Sequence, residues 1–191
     1  MNIIWKNYIL VSYFAMKGMV LIMVFIKAFI LLLIFLASLH GGKIIAKKYS
    51  NRVSELKEMK NALNMFLTKI KFTYESVPET FKEIGNNVNG NIGQIFRLAS
   101  EHMKEKSAGD AWEEVVEKTD TSLTAEDKEI IKILGRLLGK TDIEGQISEI
   151  KLVQDFLNTQ IDVAERERQK NEKLYKTLGG VVGLAVVIIL I

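Results

Sequence analysis

The stretch LGGVVGLAVVIILI, which runs from Leu178 to Ile191, ends the sequence and contains no charged residue. A second apolar stretch near the other end, FIKAFILLLIFLASL, covers Phe25–Leu39 and carries a single charge, on Lys27. All 23 acidic residues lie between the two stretches, from Glu55 to Glu172. This pattern predicts a polar domain that is tied to a lipid bilayer by one apolar helix at each end.

The net charge of +3 does not indicate nucleic-acid binding. Three of the 26 basic residues, Lys6, Lys17 and Lys27, precede the polar region, and the remaining 23 balance its 23 acidic residues. By the positive-inside rule, the basic residues beside the apolar stretches belong on the cytoplasmic side. They are Lys43, Lys47, Lys48 and Arg52 after the first stretch, and Arg166, Arg168, Lys170, Lys173 and Lys176 before the last. The charges therefore predict a cell-membrane protein whose central domain is cytoplasmic.

Lys27 decides the register of the first membrane segment. A span of about Phe25–Lys43 places Lys27 at the outer interface, whereas a span centred on Lys27 would cost about 3 kcal/mol. A cleaved signal peptide is disfavoured, because four basic residues follow the apolar run and no A-x-A site does. Residues before this segment are either a real extension or lie upstream of a start at Met16, Met19 or Met23. We divide the chain into an extension (1–22), a first transmembrane helix (23–43), a cytoplasmic helical domain (44–174) and a C-terminal transmembrane helix (175–191).

The C-terminal segment is short for a bilayer crossing. As a helix, its residues 178–191 extend about 21 Å, against a hydrocarbon core of about 30 Å. Gly179 and Gly183 are separated by the small-xxx-small spacing that lets two transmembrane backbones approach closely. We expect both glycines to pack against the first segment or against a channel partner. The alternative is that Gly179 and Gly180 only loosen the helix boundary.

Apolar residues of the central region recur at spacings of three and four, which indicates helices and no strand. The first helix is predicted to run from the membrane to about Tyr74. Ser76 and Glu79, with Pro78 between them, predict a capping box and a short helix that ends at Gly85. The stretch NNVNGNIG (86–93) is predicted to be a loop from its composition.

Three further helices and a long last helix complete the predicted domain. One runs over 92–106, one is capped by Asp110 after a break at Gly109, and one is capped by Thr124 together with Asp127. Asp142 then opens a long helix that continues without a break into the C-terminal segment. The predicted fold is all-α: a cytoplasmic antiparallel bundle of about six helices, anchored by an N-terminal and a C-terminal transmembrane helix.

No pattern in the sequence supports catalysis or a cofactor. The segment GRLLGKT (135–141) imitates a phosphate-binding loop, but only three residues separate its glycines and no strand precedes it. His40 and His102 lie far apart and lack metal-ligand spacing. Glu113 and Glu114 are neighbours on a helix, so their carboxylates cannot flank one bond. We therefore predict no catalytic residue, no metal, no cofactor and no small-molecule substrate, and the chain has no cysteine to act as a nucleophile.

Five pieces of the chain form a pattern in their order and spacing. They are IAKKYSNRVSELKEMKNAL (45–63), VPETFKEIG around Pro78, AWEE around Trp112, LGRLLGKTD (134–142) with Gln146 soon after, and a charged helix that runs into LGG and an apolar tail. On these pieces the chain resembles the stage III sporulation protein AB family from about Phe25 onward. Residues before about Met23 lie outside the pattern.

The resemblance implies a role in endospore formation. Members of that family are similar to the cytoplasmic helical domain of the inner-membrane platform protein of type II secretion and type IV pilus systems. They are encoded with a secretion-type ATPase relative, stage III sporulation protein AA, and with membrane proteins that build a channel between mother cell and forespore. By analogy, this chain is expected to be a platform in the mother-cell membrane that docks the ATPase relative. A secretion platform has two such domains and three membrane spans, whereas this chain has one domain and two predicted spans. A mechanism that couples the platform to a motor is therefore not carried over to this chain.

The predicted docking surface for the ATPase relative is acidic and comprises Glu113, Glu114 and Glu117. Trp112 has two interpretations, an anchor of the core or a hot spot for the partner. The alternative function is a membrane-anchored adaptor or regulator that binds a cytosolic partner and takes no part in transport. The sequence leaves self-association of the chain open.

Overall fold

The computed structural model describes residues 3–73, 75–136, 138 and 143–190, with side chains from residue 16 onward except at residue 20. These residues form six α-helices and one short 3₁₀ helix, and they contain no strand. The α-helices are α1 (Ile3–Phe72), α2 (Val77–Asn87), α3 (Gly90–His102), α4 (Ala108–Lys118), α5 (Ala125–Lys132) and α6 (Ile143–Leu190), with the 3₁₀ helix (Ile133–Arg136) after α5. The predicted all-α fold of about six helices is confirmed.

The chain divides into two compact units, and each unit contains a part of α1 and a part of α6. The first, the apolar unit, comprises Met1–Ile45 and Lys173–Ile191. The second, the helical domain, comprises Ala46–Glu172. The long last helix runs unbroken from Ile143 into the C-terminal segment, as the sequence predicts. Asp142, which was predicted to open it, lies outside the described residues.

Two of the predicted helix caps are present in the helical domain. The hydroxyl of Ser76 accepts a hydrogen bond from the backbone N–H of Glu79 at 3.4 Å, and Pro78 lies in the first turn of α2. The hydroxyl of Thr124 accepts from the N–H of Asp127 at 3.2 Å, and the Asp127 carboxylate accepts from the N–H of Thr124 at 2.8 Å. Such caps depend on residues three apart, so they can be recognised in sequence.

The predicted loop at 86–93 is wrong, because only Val88 and Asn89 separate α2 from α3. Gly93 in this stretch allows α3 to pack closely against the end of α2 and the linker that follows it. A β-carbon on Gly93 would lie 1.8 Å from the carbonyl oxygen of Val88 and 3.2 Å from that of Gly85. Among the glycines that the structure describes, only Gly90, at the start of α3, needs glycine for its backbone angle, with φ of +69°.

The predicted start of α4 is also wrong. Ser107 caps this helix, because its hydroxyl accepts from the N–H of Asp110 at 3.2 Å. Gly109 lies inside α4, where a β-carbon would meet the carbonyl oxygen of Gly135 at 2.3 Å. The preceding helix, α3, ends at His102, four residues earlier than predicted. Glycine marks a close contact here as well, since the first turn of α4 lies against the 3₁₀ helix.

Aromatic side chains from four consecutive helices meet in the core of the helical domain. The ring of Phe81 on α2 lies 5.0 Å from Phe66 of α1, 4.9 Å from Phe96 of α3 and 5.3 Å from Trp112 of α4, between centroids. Edge-to-face geometry of this kind adds to the stabilisation from burial alone. The indole N–H of Trp112 donates to the carbonyl oxygen of Ile131 at 2.9 Å, so α4 is also tied to α5.

Candidate membrane anchor and partner surface

Small residues line the contact between α1 and α6 in the apolar unit. A β-carbon on Gly179 would lie 2.9 Å from the carbonyl oxygen of Ser38, and one on Gly183 would lie 2.9 Å from the ring of Phe35. The Ser38 hydroxyl donates to the carbonyl oxygen of Gly179 at 2.8 Å. A β-carbon on Gly42 would meet the carbonyl oxygen of Tyr175 at 2.6 Å. The structure thus places both glycines of the small-xxx-small pair against the first apolar segment, with Gly42 as a facing glycine that sequence reasoning missed.

The outer surface of the apolar unit is covered with apolar side chains. Phe25 is 67% exposed, Phe29 61% and Val181 56%. Both α1 and α6 are long and apolar enough to cross a membrane by length and composition, and no residue in the most apolar window of α1 is buried. An apolar surface of this extent is rare in contact with water, so it is consistent with membrane association.

The C-terminal end of α6 lies beside the part of α1 that carries Lys27. A concavity of about 340 Å³ at this place is lined by Leu190 from α6 and by α1 residues, Lys27 among them. The other α1 residues are Met23, Ile26, Ile30, Leu31 and Ile34. The paired part of the two helices therefore ends near Lys27.

The three predicted partner-binding glutamates lie on α4, but they are not equivalent. Glu113 and Glu117 are exposed, and Glu114 is partly buried. The carboxylate of Glu117 lies 2.6 Å from the ammonium group of Lys132, whereas Glu113 forms no ion pair with any described residue. Trp112, directly beneath them, has no exposed surface. Its place in the core leaves it unavailable for direct contact with a partner in this structure.

Glu114 is the centre of a cluster of basic side chains. Its carboxylate contacts the ammonium groups of Lys106 and of Lys118, the latter at 2.7 Å, and lies 3.7 Å from Nδ1 of His102. The hydrogen bonds from Lys106 and Lys118 lower the pKa of Glu114 to about 2. Most of the charge of Glu114 is thus balanced within the domain, so Glu113 is the strongest candidate of the three for an external partner.

A buried ion pair in the helical domain was not foreseen from the sequence. The guanidinium of Arg52 on α1 forms two hydrogen bonds with the carboxylate of Asp127 on α5, Nε to Oδ2 at 2.7 Å and Nη2 to Oδ1 at 2.9 Å. The same guanidinium contacts Glu167 of α6 at 2.6 Å and Gln160 at 3.1 Å. Arg52 is only 6% exposed, so it is a structural residue and not part of the basic surface beside the membrane.

The Asp127 carboxylate therefore has two roles, in the α5 cap and in the ion pair. Burial alone would raise the pKa of Asp127, but the hydrogen bonds from Arg52 and Thr124 together lower it. A second buried carboxylate, Glu55, accepts from the side-chain amide of Asn91 at 2.8 Å and from the N–H of Ser122 at 2.6 Å. Burial raises the pKa of Glu55 because these neutral donors compensate the charge only in part.

The described residues contain no group of three or more His, Asp or Glu side chains that is arranged to hold a metal ion. In the segment that imitates a phosphate-binding loop, Gly135 is buried in the 3₁₀ helix against α4. The rest of the imitation, Gly139, Lys140 and Thr141, lies outside the described residues. Gly135 is thus accounted for by packing.

Comparison with known proteins agrees with this architecture. The family model described as stage III sporulation protein AB matches residues 27–191. Stage III sporulation protein AB of Bacillus subtilis (strain 168) is 29% identical over 161 residues, which cover 82% of this chain and 94% of that protein. A solved structure of a stage III sporulation protein AB has the same fold, with a TM-score of 0.59 and 23% identity, over 63% of this chain and 98% of that one. The chain therefore belongs to the stage III sporulation protein AB family.

Proposed function

We propose that this protein is a membrane platform of the secretion-like channel between mother cell and forespore, and that its helical domain docks a secretion-type ATPase relative. Membership of the family supports a role in sporulation. The observation that supports a membrane-bound role is the apolar unit, in which α1 and α6 pack through Gly42 and Gly179 beneath an outer surface of exposed apolar side chains. A bilayer covers such a surface without further partners.

The proposed orientation places the helical domain in the cytoplasm. Exposed lysines follow the apolar part of α1 and precede that of α6, and such residues are retained on the cytoplasmic side. They include Lys43, Lys47 and Lys48 on α1, and Lys170, Lys173 and Lys176 on α6. Because Arg52 is buried, it does not belong to this set of exposed basic residues, and the set remains positively charged.

We place the docking surface on the outer face of α4, around Glu113. This carboxylate is exposed and has no ion pair among the described residues, so an incoming basic side chain would not have to displace an internal one. Trp112 supports the surface from below, because its contacts with Phe81, Phe96 and Ile131 fix the position of α4. The channel proteins of the same operon are the proposed partners of the apolar unit.

The test is co-purification of stage III sporulation protein AA with the full chain from detergent extracts. Glu113→Lys reverses a charge without breaking an internal ion pair, so we expect it to reduce recovery of the ATPase relative severalfold. Glu101→Lys makes the same change at an exposed position on α3 and should leave recovery unchanged. Equal recovery with all three chains would exclude Glu113 from the docking surface.

A deletion strain tests the transport role separately. A platform of the channel is expected to be needed for late gene expression in the forespore and for normal spores. A strain without the protein that completes both would favour the alternative, an adaptor or regulator that binds a cytosolic partner. The two experiments separate the choice of surface from the choice of function.

A further inference from the structure

A groove lies between α1 and α6 within the helical domain. Its volume is about 620 Å³, and polar side chains form most of its lining. Lys57, Lys60 and Asn61 come from α1, and Asn158, Ile161, Asp162 and Glu165 come from α6. Ile161 packs against the core of the domain and contributes the apolar part of the lining.

The charges of this groove are separated between its two walls. The α1 wall carries two lysines and the α6 wall carries two carboxylates. One opposite pair is joined within the chain, since the ammonium group of Lys57 lies 2.5 Å from the Glu165 carboxylate. Lys60 and Asp162 form no ion pair with any described residue. Each wall therefore keeps one charge that an external group of opposite sign can neutralise.

We propose that this groove is the interface of a homodimer, occupied by a second copy of the same chain. A two-fold axis along the groove lays the α1 wall of each copy on the α6 wall of the other. Lys60 of each copy then meets Asp162 of the other copy, and this contact forms twice, as in any isologous interface. The groove is complementary to itself in charge because the two signs lie on opposite walls.

The direction of the proposed axis agrees with the proposed membrane anchoring. Two chains inserted into one bilayer in the same orientation must keep their α1 helices parallel in direction. Rotation about an axis along the groove preserves that direction, whereas rotation about an axis across the groove reverses it. The charge pattern and the anchoring therefore select the same symmetry.

A polar interface of this kind is weak between free molecules, because each exposed ion pair contributes little. Anchoring in a shared bilayer raises the effective concentration of the two domains, so a weak contact becomes populated. We therefore expect the dimer in membranes and not in dilute detergent. The inference rests on the membrane anchoring proposed above and goes beyond it by naming the second copy as a partner.

Disulfide cross-linking between copies tests the interface, because the natural chain contains no cysteine. Asn61→Cys and Asn158→Cys chains are purified separately, mixed, reconstituted into liposomes and oxidised. Each chain then has one cysteine, so every disulfide joins two copies. We expect a dimer band from the mixture that is at least about tenfold stronger than from Lys82→Cys mixed with Asn158→Cys, since Lys82 is exposed on α2.

Charge reversal provides the second measurement, in the same cysteine background. Lys60→Glu in both partners, or Asp162→Lys in both, places like charges together twice, and we expect cross-linking to fall about tenfold. A Lys60→Glu chain mixed with an Asp162→Lys chain restores opposite charges at both contacts. This mixture should regain the cross-link, which also shows that both variants are folded.

Two results would overturn the interface. One is a mixture of the single reversals that cross-links no better than either reversal alone, and the other is an Asn61–Asn158 signal no stronger than the Lys82 control. Extraction of the same liposomes with alkaline carbonate separates the causes. Chains that stay in the membrane without cross-linking contradict the groove alone, whereas chains released by carbonate contradict the membrane anchoring on which the dimer rests.

Discussion

Replacing Asp127 with asparagine is the sharpest test of what stabilises the helical domain. The carboxylate is fully buried, accepts two hydrogen bonds from Arg52 at 2.7 and 2.9 Å, and accepts the α5 cap bond from Thr124 at 2.8 Å. Asparagine keeps the shape but leaves the guanidinium without its main counter-charge. Breaking a buried ion pair in this way costs about 3–5 kcal/mol. We expect about 3 kcal/mol, because Glu167 still contacts the same guanidinium.

Thermal unfolding of the full chain in detergent, followed by far-UV circular dichroism, measures this loss. In a chain of this size 1 kcal/mol corresponds to about 2–4 °C, so Asp127→Asn should lower Tm by about 6–12 °C. Thr124→Ala removes only the cap and should lower Tm by about 2–4 °C. Lys57→Ala removes an exposed ion pair and should change Tm by about 2 °C or less.

The pH dependence of Tm provides a second test of the Arg52–Asp127 ion pair. The folded-state pKa of Asp127 lies below its ordinary value of 3.8. A lowered carboxylate pKa contributes stability that is complete above the unfolded-state pKa and is lost as the pH falls through the folded-state pKa. The difference in Tm between Asp127→Asn and the natural chain should therefore be constant near neutral pH and shrink below about pH 4. A Tm for Asp127→Asn equal to that for Lys57→Ala at pH 7 would refute the reasoning.

Three further changes test other contacts by the same melting assay. Gly179→Ala adds a methyl group against the backbone of α1 and should destabilise the protein by about 1–3 kcal/mol. The control is Gly180→Ala, whose β-carbon makes only an ordinary 3.7 Å contact, and it should change stability by no more than about 0.5 kcal/mol. Gly93→Ala should destabilise by about 3 kcal/mol or more, because its β-carbon would overlap the carbonyl oxygen of Val88 at 1.8 Å; an unchanged Tm would contradict the close approach of α3 to the linker after α2. Glu114→Gln should flatten the loss of stability between about pH 4.5 and pH 2, because the folded-state pKa of Glu114 is about 2; an identical acid profile would show that its lysine contacts do not persist in solution.

Local features of this chain were predictable, because their causes lie within a few residues. The capping boxes at Ser76 and Thr124 each join residues three apart, and the sequence alone reveals both. The continuous α6 follows from an unbroken charged and apolar pattern that contains no proline. The small-xxx-small pair of Gly179 and Gly183 also marks the helix face that contacts α1.

Contacts between distant residues were not predictable in the same way. The sequence groups Arg52 among the four basic residues that follow the first apolar stretch, yet its partner Asp127 is 75 residues away. Asp127 itself was recognised only through its cap. Neither residue carries a local signal that distinguishes a buried ion pair from a solvated charge. The acidic face on α4 was overestimated for the same reason, since Lys106 and Lys132, which neutralise Glu114 and Glu117, belong to neighbouring segments.

Glycines that the sequence predicts to interrupt helices lie inside helices in the structure. In an exposed helix glycine costs about 1 kcal/mol relative to alanine, so a glycine in the sequence predicts a break in the helix. Gly93 and Gly109 lie inside helices, at places where a β-carbon would meet a backbone oxygen of another segment. The close approach of two backbones outweighs the local cost at these positions. Gly41 has open space where a β-carbon would lie, so it does not have the packing role of its neighbour Gly42.

The apolar unit also bears on the length of the C-terminal segment. Gly42 faces Tyr175 and Gly179, and Leu190 lies beside the part of α1 that carries Lys27, so the two helices are paired over about sixteen residues of α6, or about 24 Å. That length is shorter than the hydrocarbon core of about 30 Å. In the proposed orientation α1 alone crosses the outer part of the bilayer, and Lys27 lies about 24 Å from Lys43 along the helix. A lysine at that depth can extend its side chain to the outer interface, and a locally thinned bilayer would shorten the unpaired part of α1. A locally thinner bilayer would thus suit both the short apolar end of α6 and the position of Lys27 in α1.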